Sequence, residues 1–375
     1  MRPRGSSFTM DVLHSKTESR STPDEHFLIR PEEAVGLFFF FVLLVMSITH
    51  DSPLFEPVRE SRLTYFTAIL LVVSLVGLTA WQSWLWFTRW RMAKAPSVSG
   101  NPKRLSPLRL LRDWMPAVLS LGIYESLKHL HLNEIVLWLG ITPKDHWMIA
   151  FDETVFGGHA SVALESIISP AMTWYMKKVY YIGYYVYPAL VGLVLYAFKP
   201  RRAFRELVLA FLSAAFIGYI FYILIPVAGP RFSEVAHLYT VPLTASGKLE
   251  VMQMDTLRYQ YDCFPSLHTA IPLTVLIVAL RNSRRLGLLL APFVLSTVLS
   301  TLYLRMHYMA DVLAGMTLAP VCVYIGIHAD GWWLRLHQAF HRAIHGKKAE
   351  AMRKQTMVHA GLAAVAVLWL IYLVK

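Results

Sequence analysis

Charged residues are scarce in this chain of 375 residues: they make up 16% of it, against about 25% in a typical soluble domain. Hydrophobic residues account for 55%. Apolar runs of about 20 residues, the length that a helix needs to cross a bilayer, recur along the chain. The composition excludes an ordinary soluble enzyme. It predicts an all-α integral membrane protein, built as a polytopic helical bundle.

Cysteine is also scarce, with only Cys263 and Cys322 present and no C-x-x-C motif. A disulfide framework is therefore excluded. Cys322 lies within an apolar run and is expected to be a small core residue. The N-terminal segment lacks an apolar stretch and is rich in Ser, Thr and Pro, so residues 1–33 are predicted to form a disordered cytoplasmic tail.

The apolar runs divide the rest of the chain into regions. About nine of them are long enough to span a membrane: residues 34–50, 65–87, 114–132, 179–198, 204–227, 266–280, 286–304, 307–328 and 359–374. Three further regions follow the tail: a helix pair with a basic loop (34–105), a catalytic core (106–330), and an amphipathic basic segment with a last span (331–375). Within the core, short interfacial helices are expected over 133–178, interrupted at Gly157-Gly158 and at Pro170.

The distribution of lysine and arginine explains the net charge of +12. Basic residues cluster in alternate loops, at 89–113, 199–205, 281–285 and 329–357. The positive-inside rule therefore predicts a cytoplasmic N-terminus and an extracytoplasmic position for the loop over 228–265. Because the basic residues follow the membrane topology, they are expected to contact anionic lipid headgroups. No nucleic-acid partner is predicted.

Two polar motifs flank the hairpin formed by the sixth and seventh spans. The first is Pro265-Ser266-Leu267-His268, and the second runs from His307 to Asp311. A hairpin brings both to the same membrane face, where buried polar groups indicate function. His307 and Asp311 are four residues apart, so on a helix the carboxylate would orient the imidazole as a base or nucleophile.

The same region offers groups suited to binding a phosphate. Ser266 is expected to cap a helix whose N-terminus presents free amides to an anion. The guanidinium groups of Arg231 and Arg305 can each donate paired hydrogen bonds to phosphate oxygens. Both residues lie on the predicted extracytoplasmic side, where the positive-inside rule does not explain a basic residue. One carboxylate and two separated histidines are too few for a zinc site, so neither a metal nor another cofactor is predicted.

These residues resemble the type 2 phosphatidic acid phosphatase (PAP2) superfamily. The first motif is similar to its P-S-G-H, and the second to its H-x-x-x-D. Within the superfamily they most resemble the inositol phosphorylceramide synthases, whose motifs F-P-S-L-H-x-A and H-Y-x-x-D-x-x-x-G match residues 264–270 and 307–315. The chain departs from the superfamily's motifs in three places. Leu224 stands at the position of the first motif's lysine, and Leu267 at that of the glycine in P-S-G-H. Ser300-Thr301 stands in place of the Ser-Arg pair before the motif histidine.

The resemblance implies a six-helix core and a metal-independent reaction in two steps. His307 would attack a lipid phosphate and form a phosphohistidine, with Asp311 orienting it. His268 would protonate the leaving group and then deprotonate the acceptor. The phosphoryl oxygens would be held by three groups: Ser266, Arg231 and Arg305. The resemblance favours transfer of a phospho-headgroup from a membrane phospholipid or lipid phosphate to an alcohol.

Three alternatives remain open at this stage. A lipid phosphate phosphatase would use the same residues with water as the acceptor. A lipid transporter would place polar residues along several spans, whereas here they cluster at one end. A catalytically silent scaffold would not need both histidines and the aspartate. A group of tyrosines at the start of the fourth span is expected to form an interfacial belt or to line a headgroup pocket: Tyr180, Tyr181, Tyr184, Tyr185 and Tyr187.

Overall fold

The computed structural model describes residues 29–49, 107–129, 136, 139–243 and 261–344. Residues 1–28 of the predicted tail, the second span and the ninth span lie outside these residues. The end of the predicted tail is ordered, because the first helix begins at Pro31 and the side chain of Glu32 is buried. Helices make up most of the described part of the chain, which contains no β-strand and one isolated bridge, between Val227 and Asp262. The helices are α1 (Pro31–Thr49), α2 (Pro107–His129), α3 (Asp145–Phe156), α4 (Ala160–Ala163), α5 (Pro170–Phe198), α6 (Arg201–Leu224), α7 (Leu267–Asn282), α8 (Arg284–Tyr303) and α9 (Met309–Ile344).

Among the described residues, four helices are long and apolar enough to cross a membrane, namely α5, α6, α8 and α9. The helix α7 is apolar but shorter, with 16 residues. An all-helical integral membrane protein is thus confirmed. The larger architecture of about nine spans around a six-helix core stays a prediction.

The start of α5 corrects the expectation for residues 133–178. Pro170 does not interrupt short interfacial helices there, because it is the first residue of a 29-residue helix. Proline suits this position, because the backbone N–H groups of the first helical turn have no acceptor within the helix. The N–H that proline lacks therefore costs no hydrogen bond. The hydroxyl of Ser169 caps the same turn by accepting a hydrogen bond from the amide of Met172. The fourth span therefore begins nine residues earlier than the sequence indicates.

The long helix α9 joins two segments that the sequence separates. Its 36 residues run from the second motif through the predicted eighth span and into the basic amphipathic stretch. Near its C-terminal end, the indole nitrogen of Trp333 donates to the carbonyl of Ile29, just before α1. The amphipathic stretch is thus the end of a core helix rather than a separate surface helix.

The core forms around α6, which packs against α5, α7 and α9. Most side chains of α6 are buried, and glycines bring its neighbours close. A methyl group at Gly326 of α9 would lie 2.6 Å from the carbonyl oxygen of Glu206. Successive helices run antiparallel, so the N-termini of α5, α7 and α9 meet the C-termini of α6 and α8 at one end of the bundle.

Buried ion pairs hold the opposite end of the bundle. Arg205 of α6 donates to the carboxylates of Glu32 and Asp330, from α1 and α9. Asp113 of α2 likewise accepts from Arg30, at 2.6 Å, and pairs with Arg201. Intramolecular carboxylates therefore pair with two arginines of loop 199–205, whose basic residues the sequence analysis expected to meet lipid headgroups.

Candidate active site

The turn between α8 and α9 shapes the site. Arg305 has a left-handed backbone with φ of 60°, which is unusual for a residue with a side chain. The amides of Met306 and His307 then both donate to the carbonyl of Thr301, at 3.0 and 3.2 Å. This tight turn directs the His307 imidazole into the end of the bundle, where the residue is 3% exposed.

The pairing of His307 with Asp311 arises from a helix cap rather than from a shared helical face. The helix α9 begins at Met309, so His307 lies before it. The carboxylate of Asp311 reaches back to accept from the amide of Tyr308 at 2.9 Å, as a third-position acid does in a capping box. The same oxygen lies 3.5 Å from Nδ1 of His307. The predicted pair is therefore brought together, with Nδ1 towards Asp311 and Nε2 left for a substrate.

Two carboxylates of α3 support this turn, and the sequence analysis assigned neither of them a role. Asp152 accepts from the amides of Met309 and Ala310 at 2.9 and 3.0 Å, which caps α9 from outside. Burial raises the pKa of Asp152, although these amide hydrogen bonds oppose the shift. Asp145 accepts from the hydroxyl of Tyr308 at 3.0 Å and from the amides of Ala228 and Gly229. The helix α3 thus fixes the second motif against the loop after α6.

The second histidine approaches the first across the bundle. The ring centroids of His268 and His307 lie 6.0 Å apart. His268 is partly exposed, stacks on Tyr180 with ring centroids 4.0 Å apart, and has Tyr184 on its flank at 5.0 Å. Both tyrosines are buried, whereas Tyr181 is exposed. Tyr180 and Tyr184 therefore pack against His268 inside the bundle, while Tyr181 faces outward.

Ser266 occupies the N-cap position of α7, but its side chain does not cap the helix. Its hydroxyl is buried and has no hydrogen-bond partner among the described residues. Its amide donates to the carbonyl of Asp311 at 3.0 Å, which ties the two motifs together directly. Gly315 allows this contact, because a methyl group there would lie 2.5 Å from the carbonyl oxygen of Ser266. The expected capping hydrogen bond is thus absent, and Ser266 instead joins α7 to α9.

Cys263 lies two residues before the first motif, and the structure brings its side chain to His307. Its sulfur donates to the carbonyl of Met306 at 2.9 Å and lies 3.4 Å from Nδ1 of His307. Burial raises the pKa of the Cys263 thiol well above its usual value, and the negative charge of Asp311 adds to this shift. The thiol is therefore protonated at neutral pH. Gly229 makes room for it, since a methyl group there would lie 2.9 Å from the sulfur.

The two arginines lie beside the turn and bind protein groups. Arg305 pairs with Glu165 at 2.5 Å, donates to the carbonyl of Val241 and stacks on the ring of Tyr239 at 4.1 Å. Its Nε atom is buried and has no partner among the described residues. Arg231 donates from Nε to the carbonyl of Leu304 at 2.9 Å. Burial lowers the pKa of Arg305, and the nearby charge of Arg231 contributes in the same direction.

The geometry places both histidines, Asp311 and Ser266 at one end of the bundle, with the arginines beside the α8–α9 turn. It also brings together three potential metal ligands, from Cys263, His307 and Asp311, within 4.8 Å of one another. The contribution of Cys263 depends on a contact 44 residues away in the chain, which no local pattern reveals.

Comparison with known proteins agrees with the motifs. Residues 146–325 match the family model of the PAP2 superfamily. This segment contains both histidines, Asp311, Ser266 and the two arginines. No match was found among curated proteins or among solved structures. The match shows that this segment, slightly less than half of the chain, is similar to the PAP2 superfamily, which contains phosphatases and phosphotransferases. It does not distinguish the inositol phosphorylceramide synthase subgroup.

Proposed function

We propose that this PAP2-type protein is a membrane enzyme that transfers the phosphoryl group or phospho-headgroup of a lipid to an alcohol through a phosphohistidine. The observation that carries the proposal is the approach of His268 and His307, with centroids 6.0 Å apart at one end of the bundle. This distance is short enough for one phosphate bound between the two rings to contact both. Hydrolysis, with water as the acceptor, would use the same groups.

In the first step, Nε2 of His307 attacks the phosphorus atom and the bond to the leaving oxygen breaks. Asp311 accepts the proton of Nδ1 in a hydrogen bond, which fixes the tautomer and stabilises the positive charge that develops on the ring. His268 gives its proton to the leaving oxygen. In the second step, neutral His268 takes a proton from the acceptor hydroxyl, whose oxygen displaces His307 from phosphorus.

The phosphoryl oxygens need donors during both steps, because negative charge develops on them. Arg231 and Arg305 are proposed to supply them together with the amides in the first turn of α7. The unpartnered Nε of Arg305 and the unpartnered hydroxyl of Ser266 are consistent with this role. Glu165 would have to share Arg305 with the substrate. Neither step as proposed uses a metal, so activity is expected to persist in EDTA, and a strict requirement for an added divalent ion would contradict the mechanism.

The experiment that tests the proposal offers the purified full-length protein a labelled phospholipid or lipid phosphate, with water alone or with a panel of alcohols. Transfer predicts a new phospholipid whose headgroup depends on the alcohol. Free phosphate or a free phospho-headgroup in every mixture would instead support the phosphatase alternative. A chain that moves lipid between leaflets without cleaving it would favour the transporter, and the enzymatic proposal would then be wrong.

The site is proposed to face the extracytoplasmic side, as the positive-inside rule predicts. Two exposed positions at opposite ends of the bundle give a matched test: His237, in the loop after α6, and Arg284, at the start of α8. A membrane-impermeant maleimide applied to intact cells is expected to label His237→Cys but not Arg284→Cys. The native cysteines are both buried and should react little. The reverse labelling pattern would place the site in the cytoplasm.

A further inference from the structure

The side chains of Cys263, His307 and Asp311 form a cluster with the geometry of a metal site. The sulfur lies 3.4 Å from Nδ1 of His307, and that nitrogen lies 3.5 Å from Oδ2 of Asp311. In tetrahedral zinc sites, bonds of about 2.3 Å to sulfur and about 2.0–2.2 Å to nitrogen and oxygen separate the ligand atoms by roughly 3.4–3.6 Å. Two sides of the triangle therefore already have nearly the right length, and all its atoms lie within 4.8 Å.

A second observation points to a missing cation. The Oδ1 atom of Asp311 is buried and accepts no hydrogen bond from any described residue, on a side chain that is 0% exposed. A buried carboxylate oxygen without a donor is costly, and a bound cation would satisfy it. The three ligand residues are at most 4% exposed, so a bound ion would be largely sealed from water.

The charges of the cluster also suit a doubly charged ion. On binding, the Cys263 thiol would release its proton to water, and the thiolate, the carboxylate and neutral His307 would carry two negative charges in total. A divalent ion would make the buried complex neutral, which avoids the free energy of burying net charge. Sulfur and imidazole favour Zn²⁺ or Cd²⁺ over Mg²⁺ and Ca²⁺, which prefer oxygen ligands.

We propose that Cys263, His307 and Asp311 bind a thiophilic divalent cation such as Zn²⁺, and that the bound ion inhibits the enzyme. Coordination uses the lone pair of Nδ1 on His307, so this nitrogen can no longer carry the proton that Asp311 accepts. The proton of the neutral imidazole then lies on Nε2, which has no lone pair left to attack phosphorus, and the metal also engages the Asp311 carboxylate. Binding of the ion is independent of the proposed function, whereas inhibition rests on it.

Binding is tested with Cd²⁺, whose bond to a thiolate gives an ultraviolet charge-transfer band. The purified full-length protein in detergent, washed with EDTA, is titrated with Cd²⁺. Cys263→Ala is compared with the matched variant Cys322→Ala, since Cys322 belongs to no such cluster among the described residues. The band is expected in the unaltered protein and in Cys322→Ala and not in Cys263→Ala, and Zn²⁺ but not Mg²⁺ should abolish it.

Two measurements keep the test independent of folding defects. Displacement of Cd²⁺ by Zn²⁺ needs no variant, and Asp311→Asn should keep the band while binding Cd²⁺ about tenfold or more weakly, since it loses one charged ligand. A band that persists in Cys263→Ala, that disappears only in Cys322→Ala, or that never forms in the unaltered protein would overturn the metal site.

Inhibition is then measured as turnover of the lipid substrate at increasing free Zn²⁺. The midpoint of inhibition is expected to equal the midpoint at which Zn²⁺ displaces Cd²⁺, with Mg²⁺ having no effect. Full activity with the site occupied, or activity that requires Zn²⁺, would overturn the inhibitory role while leaving the binding result in place. A protein that binds Cd²⁺ but turns over no lipid would instead contradict the proposed function.

Discussion

Gly315 allows a direct test of whether activity depends on the close approach of α7 and α9. In Gly315→Ala the added methyl group would lie 2.5 Å from the carbonyl oxygen of Ser266 and 3.0 Å from Cβ of Thr269. The start of α7 must therefore move away by about 0.9 Å, the difference from the 3.4 Å at which ordinary contact begins. His268 lies in this turn and His307 at the start of α9, so the shift changes the distance between the two histidines.

The expected effect is large for one methyl group. A displacement of about 1 Å between reacting groups can lower a rate about 100-fold, which corresponds to about 2.7 kcal/mol of activation free energy. Overpacking is also expected to lower the free energy of unfolding, by about 1–3 kcal/mol. The loss of turnover should therefore exceed what the fraction of unfolded protein explains.

Two glycines on the same helix supply the controls. Gly326→Ala meets an equally close backbone oxygen, at 2.6 Å, but 11 residues further along α9 and away from the site. It should destabilise the protein with little loss of turnover by the folded fraction. Gly331 has no atom within 4 Å of an added methyl group, so its alanine variant should leave turnover unchanged and raise the free energy of unfolding by at most about 1 kcal/mol, since alanine favours the helix. The assays are turnover of the lipid substrate and thermal unfolding in detergent. Equal turnover in Gly315→Ala and Gly326→Ala, at equal stability, would refute the argument.

Three further predictions concern other parts of the molecule. His307→Ala is expected to lower lipid turnover at least about 10³-fold while the protein still inserts and elutes as a single species, because the nucleophile is lost; ordinary activity would refute the phosphohistidine mechanism. Asp152→Ala leaves two amides of α9 without their acceptor and should lower the free energy of unfolding by about 1–3 kcal/mol, measured by thermal unfolding. Asp152→Asn keeps an acceptor oxygen and should be less destabilised. Equal stability of the two variants would contradict the capping role. Arg205→Ala leaves the buried carboxylate of Glu32 with the longer contact to Arg30, at 3.9 Å, and leaves Asp330 without Arg205, so it should lower the free energy of unfolding by about 3–5 kcal/mol. Alanine at the exposed neighbour Arg202 should change it by less than about 0.5 kcal/mol, and similar effects of the two variants would show that the ion pairs contribute little.

The sequence alone was sufficient to predict that the protein is helical and lies in a membrane. The length of an apolar run is a local property, and a backbone in lipid must satisfy its own hydrogen bonds, so a run of that length has few other structures available. The boundaries were less certain where a residue has two possible roles. Pro170 was interpreted as a helix breaker, although proline also begins helices. Arg205 belongs to a basic loop in the sequence, whereas in the structure its side chain is buried and donates to Glu32.

The motifs likewise predicted His268, His307 and Asp311 as a group, because short spacing within a hairpin limits where they can lie. Only the tertiary structure brought Cys263 to Nδ1 of His307 and Asp152 to the first amides of α9. Each of these contacts joins segments that are far apart in the chain, and its free energy depends on how helices pack rather than on any local pattern. The sequence therefore determined the chemical groups of the site, and the packing of α3, α7 and α9 decided what surrounds them.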